Sequence, residues 1–530
     1  MPTFFSTHKA LLERAIAANR ERGFWRAYAD DGGLGADLAP LLGRPFELEG
    51  ALGAGRLGAE RSAWGLELGI TYPVAPAERW LERAEEVSAA WGASSIEART
   101  GIALEALARL HRAALILAEA LKHATGAPAG LARRAGVLAA LEQGLRATAL
   151  TYEALRRTPS SVVHAPPEGG RSRRVGYRTV PTGLALVVTG TRMPLVTALP
   201  ALLADLVAGN PVLLQPDPRA VLPLALTART VREVLAEAGL PRDVLQLCVD
   251  SREVPVARRL AAHPAVRLLD HDGRDDLQRW LATGAPHVLG RAPQQGANPV
   301  VIDSTEDFTG LADGLALAVA RHAGQEPTRP QTLFVPADGI ATEQGHLDFD
   351  AVCEGLGQAI DRLLDQPGRA VEVTGALPDP AVVDGFRALQ ALGRIVRESR
   401  QLPIQGAPRA RAASPLLLAV EAIRETAYAP PQPGPVAFVV RTTDTAESIE
   451  RAAHGARIHG AVLARVHSTN DHVVEVTADA FTAIGVSVSC NATGTDEAFA
   501  GPFDEAAVDL DEGFAAGRFR RVRVEWPEPG

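Results

Sequence analysis

"LALVVTGTRMPLVTALPALLADLVAGNPVLLQP", residues 184–216, decides the fold class. Its first five residues are all apolar and end at a Thr-Gly pair, which reads as a strand buried on both faces. "PLVTALPALLADLVAG" follows with a proline at the first helical position and a glycine at the end, the expected punctuation of a helix. "NPVLLQP" is a second short apolar strand. The rhythm continues through "PLALTARTVREVLAEAGL" (223–240, helix) and "VLQLCVD" (244–250, strand). Strand–helix–strand alternation predicts a parallel, doubly wound α/β sheet.

The same rhythm returns in "NPVVIDS" (298–304), "LADGLALAVARHAG" (311–324) and "QTLFVP" (331–336), and again over 434–469, which predicts a second doubly wound sheet. Residues 1–160 read as mostly helical, with "TGIALEALARLHRAALILAEALKHATG" (100–126) the clearest case. A crossing rich in Pro, Gly and Ser (159–183) contains the basic strand "RRVGYRTV", and the tail "AGRFRRVRVEW" (516–526) alternates Arg with apolar residues. Their pairing as an oligomerisation arm is the specific expectation; a plain edge strand is the simpler one.

Composition narrows the function. The chain has 530 residues, enough for two or three domains, and a net charge of −9, which opposes binding to nucleic acid. No basic tract, signal-like core or membrane-length apolar run is present, so a cytoplasmic protein is expected. Cys248, Cys353 and Cys490 have no redox or metal-ligand spacing, and no metal site is expected from them or from the histidines of 454–472. The only lysines are Lys9 and Lys122, which leaves little scope for Schiff-base chemistry.

The segments "VPTGLALVV" (180–188), "LVAGNPVLLQP" (206–216), "GANPVVIDS" (296–304), "GPVAFVV" (434–440) and "GVSVSCNATG" (485–494) resemble the aldehyde dehydrogenase superfamily. "DPRAVLPLAL" (217–226), "LFVPADGIATEQGH" (333–346) and "AAGRFRRV" (515–522) resemble its phenylacetic acid degradation (PaaN) branch. The resemblance implies an aldehyde dehydrogenase-like fold. A cofactor-type domain would comprise residues 1–172 and 184–292, a catalytic-type domain 293–500, and a β oligomerisation arm 173–183 with 515–526. It implies homodimers or tetramers, and a place in aromatic catabolism or secondary metabolism.

Carried onto "RHAGQEPTRPQTLFVP" (321–336), the family pattern places its nucleophilic cysteine at Pro327 and its general base at Pro293. Proline offers neither a nucleophile nor a backbone N–H. The NAD-contacting positions fall on Gln215, Pro431 and Pro433, and the pyrophosphate turn on "LLDHDGRDDLQ", with Asp270, Asp272, Asp275 and Asp276. These replacements lead to the expectation of a degenerate, PaaN-like pseudoenzyme without NAD(P). It would be repurposed for non-redox chemistry on a small acyl or aromatic-derived metabolite, with Arg192, Glu326 and Thr328 as the candidate cleft. A non-catalytic structural or regulatory partner is the alternative. An active NAD(P)-dependent dehydrogenase with a displaced nucleophile, for instance Cys490, is the weaker one. Cys490 itself reads as a packed small residue, Arg192 and Glu326 as paired with each other or with solvent, and His322 as a charged partner of its helix C-terminus.

Overall fold

The computed structural model describes residues 4–527 except 23–24, 31, 33–35, 54, 59, 158, 165–172, 273–274, 293–295, 366, 405–406 and 494–511. Helices occupy Phe4–Glu21, Ala77–Ala93, Ile96–Arg112, Ala114–Thr125 and Ala139–Arg156, the last entered through a π-helical turn at Ala132–Leu138. The described part of 25–76 departs from the helical expectation: it is coil with two short strands, Gly55–Leu57 and Tyr72–Val74. Glycines recur there at close intervals and break any 3.6-residue apolar repeat.

Strands β1 (Ser161–His164) and β2 (Arg173–Pro181) leave the helical block. The first large sheet follows: β3 (Leu184–Val188), β4 (Val212–Gln215), β5 (Leu245–Leu247), β6 (Val266–His271) and β7 (Leu289–Arg291). All its pairs are parallel, in the order β5-β4-β3-β6-β7. Ala185 and Val187 pack with the helices Pro194–Ala208 and Leu222–Glu237, whereas Leu184, Leu186 and Val188 pack with Ala77–Ala93 and Ala257–Ala261. Burial on both faces is why β3 has no polar position. Gly209 closes the Pro194–Ala208 helix at φ 95, and a Cβ there would meet Pro181 Cγ at 2.9 Å. Glycine is required by both conformation and space.

The second sheet is built from β8 (Asn298–Ile302), β9 (Pro330–Pro336), β10 (Arg394–Arg397), β11 (Leu416–Glu421), β12 (Val436–Thr442), β13 (Leu463–His467) and β14 (Ser487–Cys490). Its order is β10-β11-β12-β9-β8-β13-β14, with β10 the antiparallel edge. Both sheets match the alternation read from the sequence. The final strand, β15 (Phe519–Pro527), runs antiparallel to β2 from Phe519↔Pro181 to Pro527↔Arg173, and β1 flanks the other side of β2. The expected pairing of the two basic segments is therefore present.

The root of β15 is locked into the first sheet by charge. Arg518 is fully buried, and its guanidinium donates to Asp205 Oδ2 at 2.5 Å and to Asp270 Oδ1 at 2.8 Å. Asp205 lies on the Pro194–Ala208 helix and Asp270 at the end of β6. Burial pushes the Asp205 carboxyl up to about 6, against the opposing pull of Arg518. Asn210 completes the joint. Its Nδ2 donates to the Arg518 carbonyl at 2.8 Å, and its Oδ1 accepts from the backbone N–H groups of Thr182 and Gly183. Removing one partner of a buried ion network leaves an uncompensated charge, at a cost of about 3–5 kcal/mol. Arg518→Met is therefore expected to lower unfolding free energy by roughly that amount, read from denaturant unfolding. A loss below about 1 kcal/mol, the size of an exposed ion pair, would show that the knot adds little.

Candidate functional site

A cleft of about 1390 Å³ separates the carboxyl ends of β3 and β6 from the amino ends of β8, β9, β13 and β14. Single small-ligand pockets typically span ~300–1,000 Å³, so this cleft has room for a dinucleotide and a small substrate together. On the first-sheet side, Thr191, Arg192 and Met193 lead out of β3, and His271 and Asp272 lead out of β6. The strand order reverses between β3 and β6, the place where doubly wound sheets bind nucleotides.

The residues here suit such a group. Gln215, at the buried end of β4, donates through Nε2 to Pro216 O, while its Oε1 has no hydrogen-bond partner. Gln215 does not line the cleft, so this amide oxygen is closed off from a group bound there. The expected wall of carboxylates is largely neutralised. Asp270 is held by Arg518, Asp276 by Arg258, Asp379 by Arg219 and Glu326 by Arg321. Asp272 lies in the field of Arg192. Asp275 begins the helix Asp275–Gly284. Three of the four acidic residues expected at the pyrophosphate position thus have a guanidinium group nearby.

On the second-sheet side the turn 322–329 is held under constraint. His322 and Ala323 have φ of 49 and 50, and Gly324 packs so closely on Gly434 that a Cβ would lie 2.5 Å from its carbonyl oxygen. Non-glycine residues in this region persist only when their surroundings fix them. Asn298 does much of the fixing. Its Nδ2 donates to the carbonyls of Pro327 at 2.7 Å and Arg329 at 2.8 Å, and its Oδ1 accepts from the N–H groups of Val462 and Leu463. The turn is therefore tied to β8 and β13 at once.

The anticipated residues fall as follows. Pro327, Glu326 and Arg192 all face the cleft, as do Pro431 and Pro433. Glu326 pairs with Arg321 at 3.0 Å. Thr328 does not line the cleft, and its carbonyl accepts from Arg465 Nη1. Pro293 lies outside the described residues. Cys490 ends β14, about 10 Å along the strand from Ser487, which does line the cleft. Burial raises its thiol pKa, which disfavours the thiolate. Cys248 and Cys353 are buried in the hydrophobic core. His322 corrects another expectation. It is buried, and burial lowers its pKa to about 4, so it is neutral and carries no charge for a helix end. Among the described residues, no group of three or more His, Cys, Asp or Glu is placed to hold a metal ion.

The sequence reading passed over Arg329, the cleft's most deeply buried cation. Its signal was an arginine set directly before a strand that is buried at every position. Its guanidinium donates to the carbonyls of Val436 at 2.5 Å and Gln432 at 2.8 Å and lies 3.4 Å from Gln331 Oε1.

Residues 73–504 match the model of the aldehyde dehydrogenase family. This chain belongs to that family. A crystal structure of an NAD-dependent aldehyde dehydrogenase from Burkholderia multivorans superposes with a TM-score of 0.93 at 32% identity, covering 99% of this chain and 98% of that one. N-succinylglutamate 5-semialdehyde dehydrogenase of Burkholderia vietnamiensis is 26% identical over 407 residues, 74% of this chain and 77% of the relative. Glyceraldehyde-3-phosphate dehydrogenase GapN of Methanocaldococcus jannaschii shares the fold at 14% identity, with a TM-score of 0.69 over 90% of this chain and all of that one.

These relatives overturn two expectations. A degenerate, non-redox protein and a chain without nicotinamide both conflict with kinship to proteins named as aldehyde dehydrogenases, one of them NAD-dependent across nearly the whole chain. The physical reason lies in the cleft. Asp270, Asp272 and Asp276, read as hostile to pyrophosphate, each have an arginine neighbour.

His322 gives this turn a pH signature. Its folded pKa of about 4 lies below the ordinary 6.5, so between those values the unfolded chain binds the extra proton. Stability from this group is complete above pH 6.5 and falls as pH drops toward 4. Relative to His322→Gln, the parent is expected to lose up to about 1.4 kcal/mol per pH unit across that window. Paired thermal melts read the difference; a gap independent of pH would place the imidazole in contact with water.

Proposed function

We propose that this chain is an NAD(P)-dependent aldehyde dehydrogenase. The observation that carries the reading is the 0.93 TM-score match, along nearly the full length, to an NAD-dependent enzyme of that kind. Thr191 and Met193 on the first-sheet side would border the dinucleotide, with Pro431 and Pro433 at its nicotinamide end. When bound, the nicotinamide supplies a hydride acceptor for the aldehyde carbon. A finer kinship with the phenylacetic acid degradation branch, and with it an aromatic-derived substrate, rests on the sequence segments alone.

Pro327 constrains the route. No thiol of the described chain faces the cleft, so the reading that respects both kinship and chemistry is oxidation of the hydrated aldehyde. In the geminal diol, the C–H bond breaks and its electron pair leaves as hydride. One hydroxyl proton is lost, and the product is the carboxylic acid. No bond to the protein forms or breaks. Glu326, beside Pro327 on the cleft wall, is the carboxylate placed to take that proton, with Arg321 orienting it.

Purified protein supplied with NAD or NADP and short aldehydes is expected to accumulate reduced nicotinamide and acid in equal amounts. Iodoacetamide should leave the rate unchanged, and Glu326→Gln should lower turnover by roughly 100-fold. Absence of reduced nicotinamide with either cofactor would sink the activity. Rapid inactivation by iodoacetamide, with protection by substrate, would sink the thiol-free route.

The arm supports a homo-oligomer, a dimer or tetramer. Val163, Val522 and Trp526 are 54%, 46% and 41% exposed, and the strand register places them on one face of the β1-β2-β15 sheet. A cluster of this kind on a soluble protein marks an association surface. Trp526→Asp is expected to reduce the mass seen by light scattering to that of a monomer. An unchanged mass would remove the arm from the interface.

A further inference from the structure

Arg329 has no carboxylate within ion-pair distance among the described residues, although it is only 8% exposed and lines the cleft. Its hydrogen bonds all go to neutral oxygens, on Val436, Gln432 and Gln331. Burial lowers the Arg329 guanidinium to about 10, and the ionised group whose field adds to this is another cation, Arg192. Arg192 emerges from the opposite wall, after β3, and is exposed to the cleft. Arg192 and Arg329 thus stand on opposite walls of one cleft. The inner guanidinium, Arg329, is held in place by backbone carbonyls, and the field of Arg192 disfavours its charge, whereas Arg192 itself has Asp272 nearby.

A buried cation is stable when an anion shares its site, and guanidinium geometry favours bidentate binding of a planar carboxylate. The five acids of the cleft are already committed: Asp270, Asp276, Asp379 and Glu326 each have an arginine within ion-pair distance, and Asp272 lies in the field of Arg192. The charge that completes Arg329 must therefore come from a bound molecule. Arg329 also stands two residues from Pro327 in the turn that Asn298 fixes, on the second-sheet wall and across the cleft from the β3–β6 crevice.

We propose that Arg329, with Arg192 facing it, forms a carboxylate subsite, and that the substrate is an aldehyde bearing a carboxylate at its far end. The inference rests on the dehydrogenase reading for the aldehyde but not for the carboxylate, and binding tests the two separately. Arg329 fixes the anionic end by direct contact. Arg192 closes over it from the first-sheet wall.

The test is calorimetric titration of the full chain with succinate, and with neutral succinamide as the matched control. The parent is expected to bind succinate at least tenfold more tightly than succinamide. Arg329→Gln and Arg192→Gln should each erase that preference, and Arg329→Lys should restore part of it. Arg192→Gln keeps the test meaningful if the buried Arg329→Gln chain fails to fold, because Arg192 is exposed. Saturating NAD should leave succinate affinity within twofold. Equal affinity for succinate and succinamide would overturn the subsite, and so would folded variants that keep the preference. Displacement of succinate by NAD would assign the arginines to the cofactor's phosphates and overturn the substrate claim. If succinate binds as expected but no aldehyde is oxidised, the subsite stands and the dehydrogenase reading falls.

Discussion

Arg518 joins three pieces of chain that would otherwise meet only through apolar contact. Its guanidinium reaches the helix after β3 through Asp205 and the end of β6 through Asp270, while its own carbonyl is held by Asn210. Both carboxylates are buried and cannot be left alone, since an isolated charge in a low-dielectric interior costs several kcal/mol. The constraint is therefore mutual. The arm cannot leave without stranding two acids, and β3 and β6 cannot separate without stranding the arginine. The crevice between those strands owes its width to a residue more than two hundred positions further along the chain.

The second wall of the cleft is fixed by a neutral counterpart. Asn298 spends all four of its hydrogen-bonding valences on backbone groups from the 327–329 turn and the start of β13. A single amide thereby sets where Pro327 and Arg329 stand relative to the rest of the second sheet. Polar groups satisfied this completely specify one arrangement, because any shift leaves a buried donor or acceptor unpaired. The strained φ values at His322 and Ala323 are held in place by this framework.

Much of this architecture was legible in the chain. The apolar runs at 184–188 and 330–336 announce strands covered on both sides, and Gly209 marks a helix end that no other residue would fit. The alternation of Arg with apolar residues at 518–526 announces the arm strand. The chemistry of the cleft was less legible. Reading Asp270, Asp272 and Asp276 as a repulsive wall treats each carboxylate as isolated, and linear sequence does not show that Arg518, Arg192 and Arg258 stand beside them. The same blindness hid Arg329, whose importance comes from what surrounds it and not from its neighbours in sequence. Position-by-position comparison with a family pattern records which groups are replaced. It does not record which new groups arrive from distant segments.

The knot at Arg518 has a thermodynamic corollary. Because the guanidinium clamps Asp270 at the mouth of the crevice and also roots β15, whatever tightens one end tightens the other. A displacement at either end of that contact therefore reaches the other through a single side chain.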